Sequence, residues 1–475
     1  MRRKLTDFVG VLMLIVMVVC SVGAVSNLLE NKESDWRYAS FFTEEQAVDV
    51  LLIGSSHIRH GVFPMELWRT RGIAAYNLAG NGCTIPSAYW VLVNALDYRV
   101  PEVVVMDVFD MWPGRIVSDR YGHVHDQFDA FPLSVHKAQM VLDLFRDPTL
   151  TDRNGNNLYE KRWEFFWNLG EYHSRWASLG KDDFAGERAI AERSRVWKGA
   201  MPLSGVVERK EHKYKKRGAG APGAETKNGG DAEAGEQPVY DEQSREYLEK
   251  IIDLCDDRGI RLILVNTGFD CSDEAKLFHD SVVDIAADNG VPYYDFTKED
   301  FIDFGTDLNS TGHNTHVNFS GAEKMSERVG SILAKEGNLQ DHRGDAAYEQ
   351  WRADCEAFIA GKHEYLKEQE DLENYLMFLY DDDYRVMFDI REDSLLEEEK
   401  LKRLVENLGE RIEAWSADEW DEVDWGAEAL DSRALESEAL DPETEDTADL
   451  IIAVYSKHDG KVVDVRSFKN LSVVP

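Results

Sequence analysis

Residues Asp49 to His60 read Asp-Val-Leu-Leu-Ile-Gly-Ser-Ser-His-Ile-Arg-His, and the predicted fold is built around this stretch. An apolar run ends at Gly54, two serines follow, and helix-compatible residues come next. This order predicts a buried strand that turns sharply into a helix, which presents a side chain at the carboxyl end of the strand. Free N–H groups at a helix start also attract anions. We therefore expect a nucleophile here, and we place it at Ser56.

A serine is a poor nucleophile at neutral pH without a base within hydrogen-bond reach, and histidine is the usual base. His57 is close in sequence, but a residue next to the nucleophile on a tight turn usually points away from it. Ser55 could be a helix N-cap without a chemical role. We place the base at His316, which lies just before a predicted helix, although a lone histidine is more often structural. The chain is thus predicted to bring Ser56 and His316 together.

A second turn, Asn77 to Gly82, follows the next predicted strand and is rich in small residues. Such a backbone can approach a bound carbonyl oxygen closely. We therefore expect an oxyanion hole formed by the N–H groups of Ser56 and of Ala79 or Gly80, with Asn81 as a side-chain donor. The alternative is a plain left-handed turn without a catalytic role.

Strands and helices alternate on both sides of this turn, which implies right-handed crossovers and a mostly parallel sheet. We expect a flavodoxin-like three-layer α/β/α sandwich with a five-stranded parallel sheet and its site at the carboxyl ends of the strands. The predicted strands are Val50–Ile53, Ala74–Leu78, Glu102–Val108, Arg261–Thr267 and Pro292–Phe296. The predicted helices between and after them are Pro64–Arg71, Ile85–Tyr98, Ser244–Arg258, Glu274–Asn289 and Gly321–Glu336.

The main domain, 45–340, carries an interruption at 110–240. Its first part is rich in aromatic residues and predicts a helical insertion beside the site; a sugar-binding platform is the alternative to ordinary core packing. Its second part, 208–237, is charged and then rich in Gly and Ala, which predicts a disordered loop. Residues 341–475 are acidic and predict a small α+β appendage, with a helix over Leu395–Trp415 and a hairpin turning at His458-Asp459-Gly460.

The N-terminal segment, residues 1–30, has three basic residues followed by about 18 uncharged apolar residues, from Phe8 to Val25, which is enough to span a bilayer. The basic flank stays in the cytoplasm, so the main domain should lie outside the cell membrane. We expect an uncleaved single-pass anchor. A cleaved signal peptide, with Ala24-Val25-Ser26 at the cleavage site, is the alternative.

Composition excludes several classes of protein. The net charge of −37 argues against a nucleic-acid partner, because phosphate binding needs clustered Lys and Arg. The five cysteines lack the paired spacing of a zinc site, so we expect no metal. No dinucleotide or phosphate-loop motif is present, so we expect no cofactor.

The residues Gly54-Ser55-Ser56-His57, the turn Asn77–Gly82, and His316-Val317-Asn318 with Gly321-Ala322 together resemble the SGNH (GDSL-like) hydrolase superfamily. The similarity covers roughly 48–109 and 247–333. It is greatest to the membrane-anchored bacterial branch, which includes the D-alanylation factor of teichoic acid synthesis and alginate-type O-acetyltransferases. The resemblance implies that Ser56 is the nucleophile and His316 the base.

Two departures from the family pattern bear on the site. The family usually has Asp three residues before the catalytic His, and His313 stands there. We choose Asp307 as the orienting acid, with a Ser-His dyad as the alternative. The Gly-x-Asn-Asp block is also absent, which removes one oxyanion donor and typically costs a few kcal/mol of transition-state stabilisation.

These features predict a membrane-anchored extracytoplasmic serine esterase or O-acyltransferase. We expect it to handle a small acyl group, acetyl, on a cell-wall or secreted polysaccharide, with a membrane-bound acyltransferase as the expected partner. A non-catalytic scaffold that binds polysaccharide or such a partner is the rival reading. A lipid esterase or thioesterase is a third possibility.

Overall fold

The structure of the protein is a computed structural model. It describes residues 2–30, 32–43, 47–111, 114–167, 169–184, 194–207, 241–269, 273–309, 315–391, 399–416, 448–469 and 472–473. The loop predicted at 208–237 and most of the acidic stretch 417–449 lie outside these ranges.

The five-stranded parallel sheet is confirmed. Its strands are β1 (Val50–Ile53), β2 (Ala75–Asn77), β3 (Val103–Asp107), β4 (Arg261–Asn266) and β5 (Tyr293–Asp295), in the order β2-β1-β3-β4-β5. This is the flavodoxin-like order, in which the chain reverses direction along the sheet next to β1. β1 is buried along its whole length and pairs in parallel with both β2 and β3. The carboxyl end of β1 therefore lies at the topological switch point, where α/β proteins of this type place their sites.

Helices pack on both sides of this sheet. The helices of the sheet domain are α3 (Ser56–Gly61), α4 (Pro64–Arg71), α5 (Ile85–Ala95), α10 (Glu242–Asp257), α11 (Asp273–Asp288) and α12 (Phe319–Glu336). α4 begins with Pro64 in its first turn and ends at Gly72 in the left-handed conformation, as helix-terminating signals favour. α12 is capped by the Asn318 side chain, which accepts a hydrogen bond from the Gly321 N–H.

The insertion after β3 is helical, as predicted. It contains α6 (Tyr121–Phe128), α7 (Val135–Leu144), α8 (Leu158–Lys161), α9 (Leu169–Tyr172) and the 3-10 helices Arg162–Phe166, His173–Ala177 and Lys181–Phe184. Two helices precede the sheet, α1 (Arg2–Leu29) and α2 (Lys32–Thr43). α1 is long and apolar enough to cross a membrane, and most of its side chains from Val9 onward are exposed. Such a helix fits a membrane anchor and equally a signal sequence.

The C-terminal segment forms a second five-stranded sheet with helices beside it. It contains α13 (Glu349–Lys367), α14 (Leu372–Phe378), β6 (Tyr384–Ile390), α15 (Glu399–Leu408), β7 (Ile412–Ala414), β8 (Leu450–Ser456), β9 (Val462–Lys469) and β10 (Ser472–Val473). The sheet order is β10-β9-β8-β6-β7, and the predicted hairpin β8–β9 turns at Gly460 with φ 69°. One hydrophobic core runs through both sheets, and α13 packs on α4.

One predicted element differs in kind from the observed one. The first residues of the helix predicted over Leu395–Trp415 lie outside the described ranges; within them, α15 ends at Leu408 and the strand β7 begins at Ile412. Gly409 adopts φ 54°, a left-handed conformation that glycine accepts readily, and it ends the helix.

Candidate active site

The turn after β1 is shaped by Gly54. This residue has φ 119°, and a Cβ built on it would lie 2.6 Å from the carbonyl oxygen of Asp107 on β3. Only glycine combines this backbone conformation with so close an approach of the neighbouring strand. The Ser55 side chain then caps α3 by accepting a hydrogen bond from the His57 N–H, and Ser56 becomes the first residue of the helix.

Ser56 and His316 are in direct contact. The Nε2 atom of His316 lies 2.7 Å from Ser56 Oγ, across 260 residues of sequence. The His316 backbone is held by a short antiparallel bridge, in which its carbonyl accepts a hydrogen bond from the Asn309 N–H at 3.0 Å and Val317 pairs with Leu308. The arrangement can pass a proton from the serine hydroxyl to the imidazole, which is the geometric requirement for a general base.

The environment keeps His316 neutral. Burial, followed by the positive charge of Arg59, lowers the pKa of His316 from 6.5 to about 4. A neutral imidazole at physiological pH has an unprotonated nitrogen that can accept the serine proton. The same lowering of the His316 pKa makes the protonated imidazolium costly to form. His316 is therefore available in its neutral form but is a weaker base than an exposed histidine.

Two further histidines surround His316. The His57 ring stacks on it at 4.8 Å between centroids, and the His60 ring meets it edge-on at 5.2 Å. His57 also lies 3.2 Å from Ser55 Oγ and bonds to the Thr315 backbone, and His60 Nδ1 lies 2.8 Å from the Met201 carbonyl oxygen. The structure thus brings His316, rather than His57, to the Ser56 hydroxyl. Burial lowers the pKa of His57 and of His60 well below the usual value, so both rings are neutral packing partners.

Asp307 is buried and directly precedes Leu308, which pairs with Val317 in the bridge next to His316. Its carboxylate oxygens accept hydrogen bonds from Ser320 Oγ at 2.7 Å, from Lys324 Nζ at 2.6 Å and from the Asp303 N–H at 2.7 Å. Its carbonyl accepts a hydrogen bond from the Asn318 N–H at 2.9 Å. These contacts fix the bridge that carries His316, and the role of Asp307 as an orienting acid stays a prediction.

The turn that carries the other predicted oxyanion donors is bonded to the turn after β1, and its N–H groups have partners of their own. The Ala79 N–H donates to Asn77 Oδ1 at 3.1 Å, and the Gly80 N–H donates to the Gly54 carbonyl at 2.9 Å. The Asn81 carbonyl accepts from Gln127 Nε2 at 2.7 Å, which anchors this end of the turn. The Ser56 N–H sits in the first helical turn, where no intrahelical acceptor exists.

Three polar residues near the site were not singled out from the sequence. Arg59 is buried on α3, and its Nη2 donates to Met201 Sδ at 3.2 Å. Asp107 ends β3 and accepts hydrogen bonds from Ser55 Oγ and from the Thr267 N–H. Arg37 on α2 donates to the Ala79 carbonyl. Asp107 could have been predicted as a site residue, because it lies at a strand end next to the turn. Arg37 and Arg59 could not, because their partners are distant in sequence.

Two groups of side chains in the described ranges have the composition of a metal site. One contains His125, Glu164 and Glu171, and the other contains Glu66, Glu323 and Asp381. A lysine lies among the carboxylates of each group, Lys161 in the first and Lys362 in the second. Both groups are therefore ion-pair networks in this structure, and neither includes Ser56 or His316.

Comparison with known proteins adds little to this geometry. No protein-family model matches the chain, and no curated protein sequence matches it significantly. Among solved structures, a Bacteroides fragilis protein assigned as an acylhydrolase is similar to it, with a TM-score of 0.30 and 9% identity over 64% of this chain and 98% of that one. At that TM-score the similarity carries no argument about function.

Proposed function

We propose that the protein is an SGNH-type serine esterase or O-acyltransferase. The observation that supports this most directly is the 2.7 Å contact between Ser56 Oγ and His316 Nε2 at the switch point of the sheet. The depressed pKa of His316 further supports a neutral base at this position.

In the proposed first step, Ser56 Oγ attacks the carbonyl carbon of an ester, and its proton moves to His316 Nε2. The C–O bond of the ester then breaks, and His316 returns the proton to the leaving alkoxide. The products are a free alcohol and an acyl-enzyme on Ser56.

In the second step, His316 removes a proton from the incoming hydroxyl, whose oxygen attacks the acyl carbon. The bond from that carbon to Ser56 Oγ then breaks, and His316 returns the proton to Ser56 Oγ. Water as the attacking group gives hydrolysis, and a sugar hydroxyl gives transfer. The two outcomes require the same groups on the protein.

The negative charge of each tetrahedral intermediate needs donors beside Ser56. We assign the Ser56 N–H as the first donor and the Asn81 side chain as the second. The Ala79 N–H can contribute by exchanging its bond to Asn77 for one to the oxyanion, as can the Gly80 N–H by leaving the Gly54 carbonyl. We assign Asp307 as the acid that steadies His316, acting through the backbone bridge.

The proposed location is the outer side of the cell membrane, with α1 as a single-pass anchor and the N-terminus in the cytoplasm. The three basic residues at the start of the sequence, Arg2, Arg3 and Lys4, favour this topology. The resemblance to teichoic-acid and alginate modification proteins favours an acetyl group, a polysaccharide acceptor and a membrane-bound acyltransferase partner. No nucleic acid and no cofactor are part of this proposal.

The test is esterase activity on p-nitrophenyl acetate. Ser56→Ala and His316→Gln should each lower kcat/KM by roughly 10³-fold or more, because each removes a group needed for proton transfer. Ser178→Ala, at an exposed serine of the insertion, is the matched control and should retain full activity. Full activity in Ser56→Ala would refute the mechanism.

The rival proposal is a non-catalytic SGNH-like scaffold. The occupied N–H groups of Ala79 and Gly80 favour it, because an oxyanion hole normally presents free donors. This rival predicts no turnover in the wild-type protein and binding of a polysaccharide that Ser56→Ala leaves unchanged. A lipid esterase would instead prefer long-chain over acetyl esters.

A further inference from the structure

The exposed tryptophans are concentrated on the insertion. Among the described residues, Trp163, Trp167 and Trp176 are 54%, 50% and 72% exposed, and Phe184 is 66% exposed. The one other exposed tryptophan in those ranges, Trp415, lies in the C-terminal segment. Large aromatic side chains left in water are costly, so a cluster of them on one segment calls for a covering surface. We call these four residues of the insertion the aromatic face.

The same segment packs against the end of α1. α1 contacts α9 and the 3-10 helices His173–Ala177 and Lys181–Phe184, the last two of which carry Trp176 and Phe184. Arg175 Nη1 donates to the Leu29 carbonyl at 2.7 Å and also to the Glu30 carbonyl, both at the C-terminus of the helix. The Arg175 guanidinium is itself held by Asp183 at 2.6 Å. Trp176 and Phe184 are therefore held on elements that contact α1, and the 3-10 helix that carries Trp163 packs on α9 beside them.

The length of α1 places this point at the edge of a bilayer. The apolar span Val9–Leu29 has 21 residues and is about 31 Å long at 1.5 Å per residue, close to a hydrocarbon core of about 30 Å. Only after Val25 do side chains of α1 become buried, as Leu29 is. A helix of this length leaves little room between the membrane and the insertion.

We propose that the aromatic face sits in the headgroup layer of the same membrane that α1 spans. Tryptophan is enriched at this depth in membrane proteins because its ring is apolar while its N–H can remain hydrated. The occupant is thus lipid, and the insertion is a second attachment that fixes the orientation of the catalytic domain. This inference rests on the proposed role of α1 as an uncleaved anchor.

The attachment connects to the site through α2. Arg37 on this helix donates to the Ala79 carbonyl in the turn beside Ser56 and to the Gly199 carbonyl at 3.4 Å. α2 also packs on α6 of the insertion. Lipid contact at the aromatic face would therefore fix the distance between the membrane and the turn that carries Ala79, through α2.

The test places a spin label at single cysteines in the full-length protein, reconstituted in phosphatidylcholine nanodiscs without any other protein. The background carries Cys20→Ser and Cys271→Ser, and the labelled variants are W176C, F184C, W415C and M13C. Oxygen reports the lipid phase and an aqueous nickel chelate reports water. W176C and F184C should favour oxygen several-fold over W415C, which is the water-exposed control, and M13C should report the lipid interior.

Each other result overturns a defined part of the account. If W176C and F184C are as accessible to nickel as W415C while M13C reports lipid, the anchor stands and the docking proposal is wrong. If M13C itself reports water, the proposed anchor fails.

Discussion

At the scale of the residue, the contact between Ser56 and His316 could be predicted because both sit at strand or helix ends that the pattern locates well. A strand that stops at Gly54 and a loop before an N-capped helix place their side chains at the same edge of a parallel sheet. The partners of Asp307 could not be predicted, since Lys324 and Ser320 reach it from one face of α12 and that rotation is set by packing.

The pH dependence of catalysis follows from the environment of His316. A base must be neutral to act, so kcat/KM should stay high down to about pH 4, where the depressed pKa of His316 lies, and fall below it. Replacing Arg59 by Met removes one cause of the depression, and the acid limb should then move upward, towards 6.5. The measurement is a pH profile of kcat/KM for both proteins; an unchanged acid limb in Arg59→Met would contradict the assignment.

Gly54→Ala should destabilise the protein by about 2 kcal/mol or more, because φ 119° and the 2.6 Å approach to Asp107 both reject a Cβ. Urea denaturation measures this loss. Gly259→Ala is a useful comparison, since it also has a positive φ but no neighbouring atom within 4 Å of the added Cβ. It should cost less, and an equal cost would show that close packing at Gly54 is unimportant.

At the scale of the element, hydrophobic periodicity located all five strands of the parallel sheet to within one residue at each end. Short buried runs between Gly and charged residues allow little choice of boundary. The prediction of one helix across Leu395 to Trp415 was wrong because its charged, amphipathic sequence continues past Gly409. The left-handed conformation of Gly409 ends the helix there. A single glycine in such a pattern predicts a helix end only weakly. The end becomes evident once the residues after it are seen to pair in the sheet.

Three helical elements meet at a buried charge. Lys362 on α13 contacts Glu66 on α4 at 2.5 Å, Glu323 on α12 at 3.5 Å, and Asp381. Burial, reinforced by the neighbouring Glu66 carboxylate, raises the pKa of Glu323 well above its usual range. Arg69 also pairs with Glu66 at 2.7 Å, so two positive charges face three carboxylates, and removing the lysine would leave one.

Lys362→Met should therefore cost about 3–5 kcal/mol of unfolding free energy at pH 7. The remaining carboxylates should then have raised pKa values in the folded state, so the variant loses stability as pH rises and recovers part of it in acid. Urea denaturation at pH 5 and pH 8 tests both statements. The exposed Lys367→Met on the same helix is the control and should change little; a comparable loss there would point to the helix rather than the network.

At the scale of the whole molecule, the sequence predicts a main domain with an appendage, but the structure gives the two a shared core. Trp351 and Phe358 on α13 are fully buried, and Trp351 packs on Trp68 of α4. Sequence patterns reveal which face of a helix is apolar but not which distant surface covers it. The packing of α13 on α4 could therefore not be predicted from the sequence of 341–475.

A chain ending at residue 340 should consequently lose its fold. It would expose the apolar face of α4 and leave Glu66 and Glu323 without Lys362. We expect insoluble expression or rapid proteolysis, compared with the full-length protein under the same conditions. A soluble, protease-resistant 1–340 fragment would show that the C-terminal segment is a separable domain.

The role of Ser56 as the nucleophile can be tested by finding the residue that a serine-reactive fluorophosphonate probe modifies. A fluorophosphonate reacts with a serine only when a base activates it, and peptide mass spectrometry then locates the adduct. At pH 7 the account predicts a single adduct on Ser56 in the wild-type protein, strongly reduced labelling in His316→Gln, and full labelling in Ser178→Ala. An unlabelled wild-type protein, or an adduct on any other serine, would contradict the assignment of Ser56 and favour the non-catalytic scaffold.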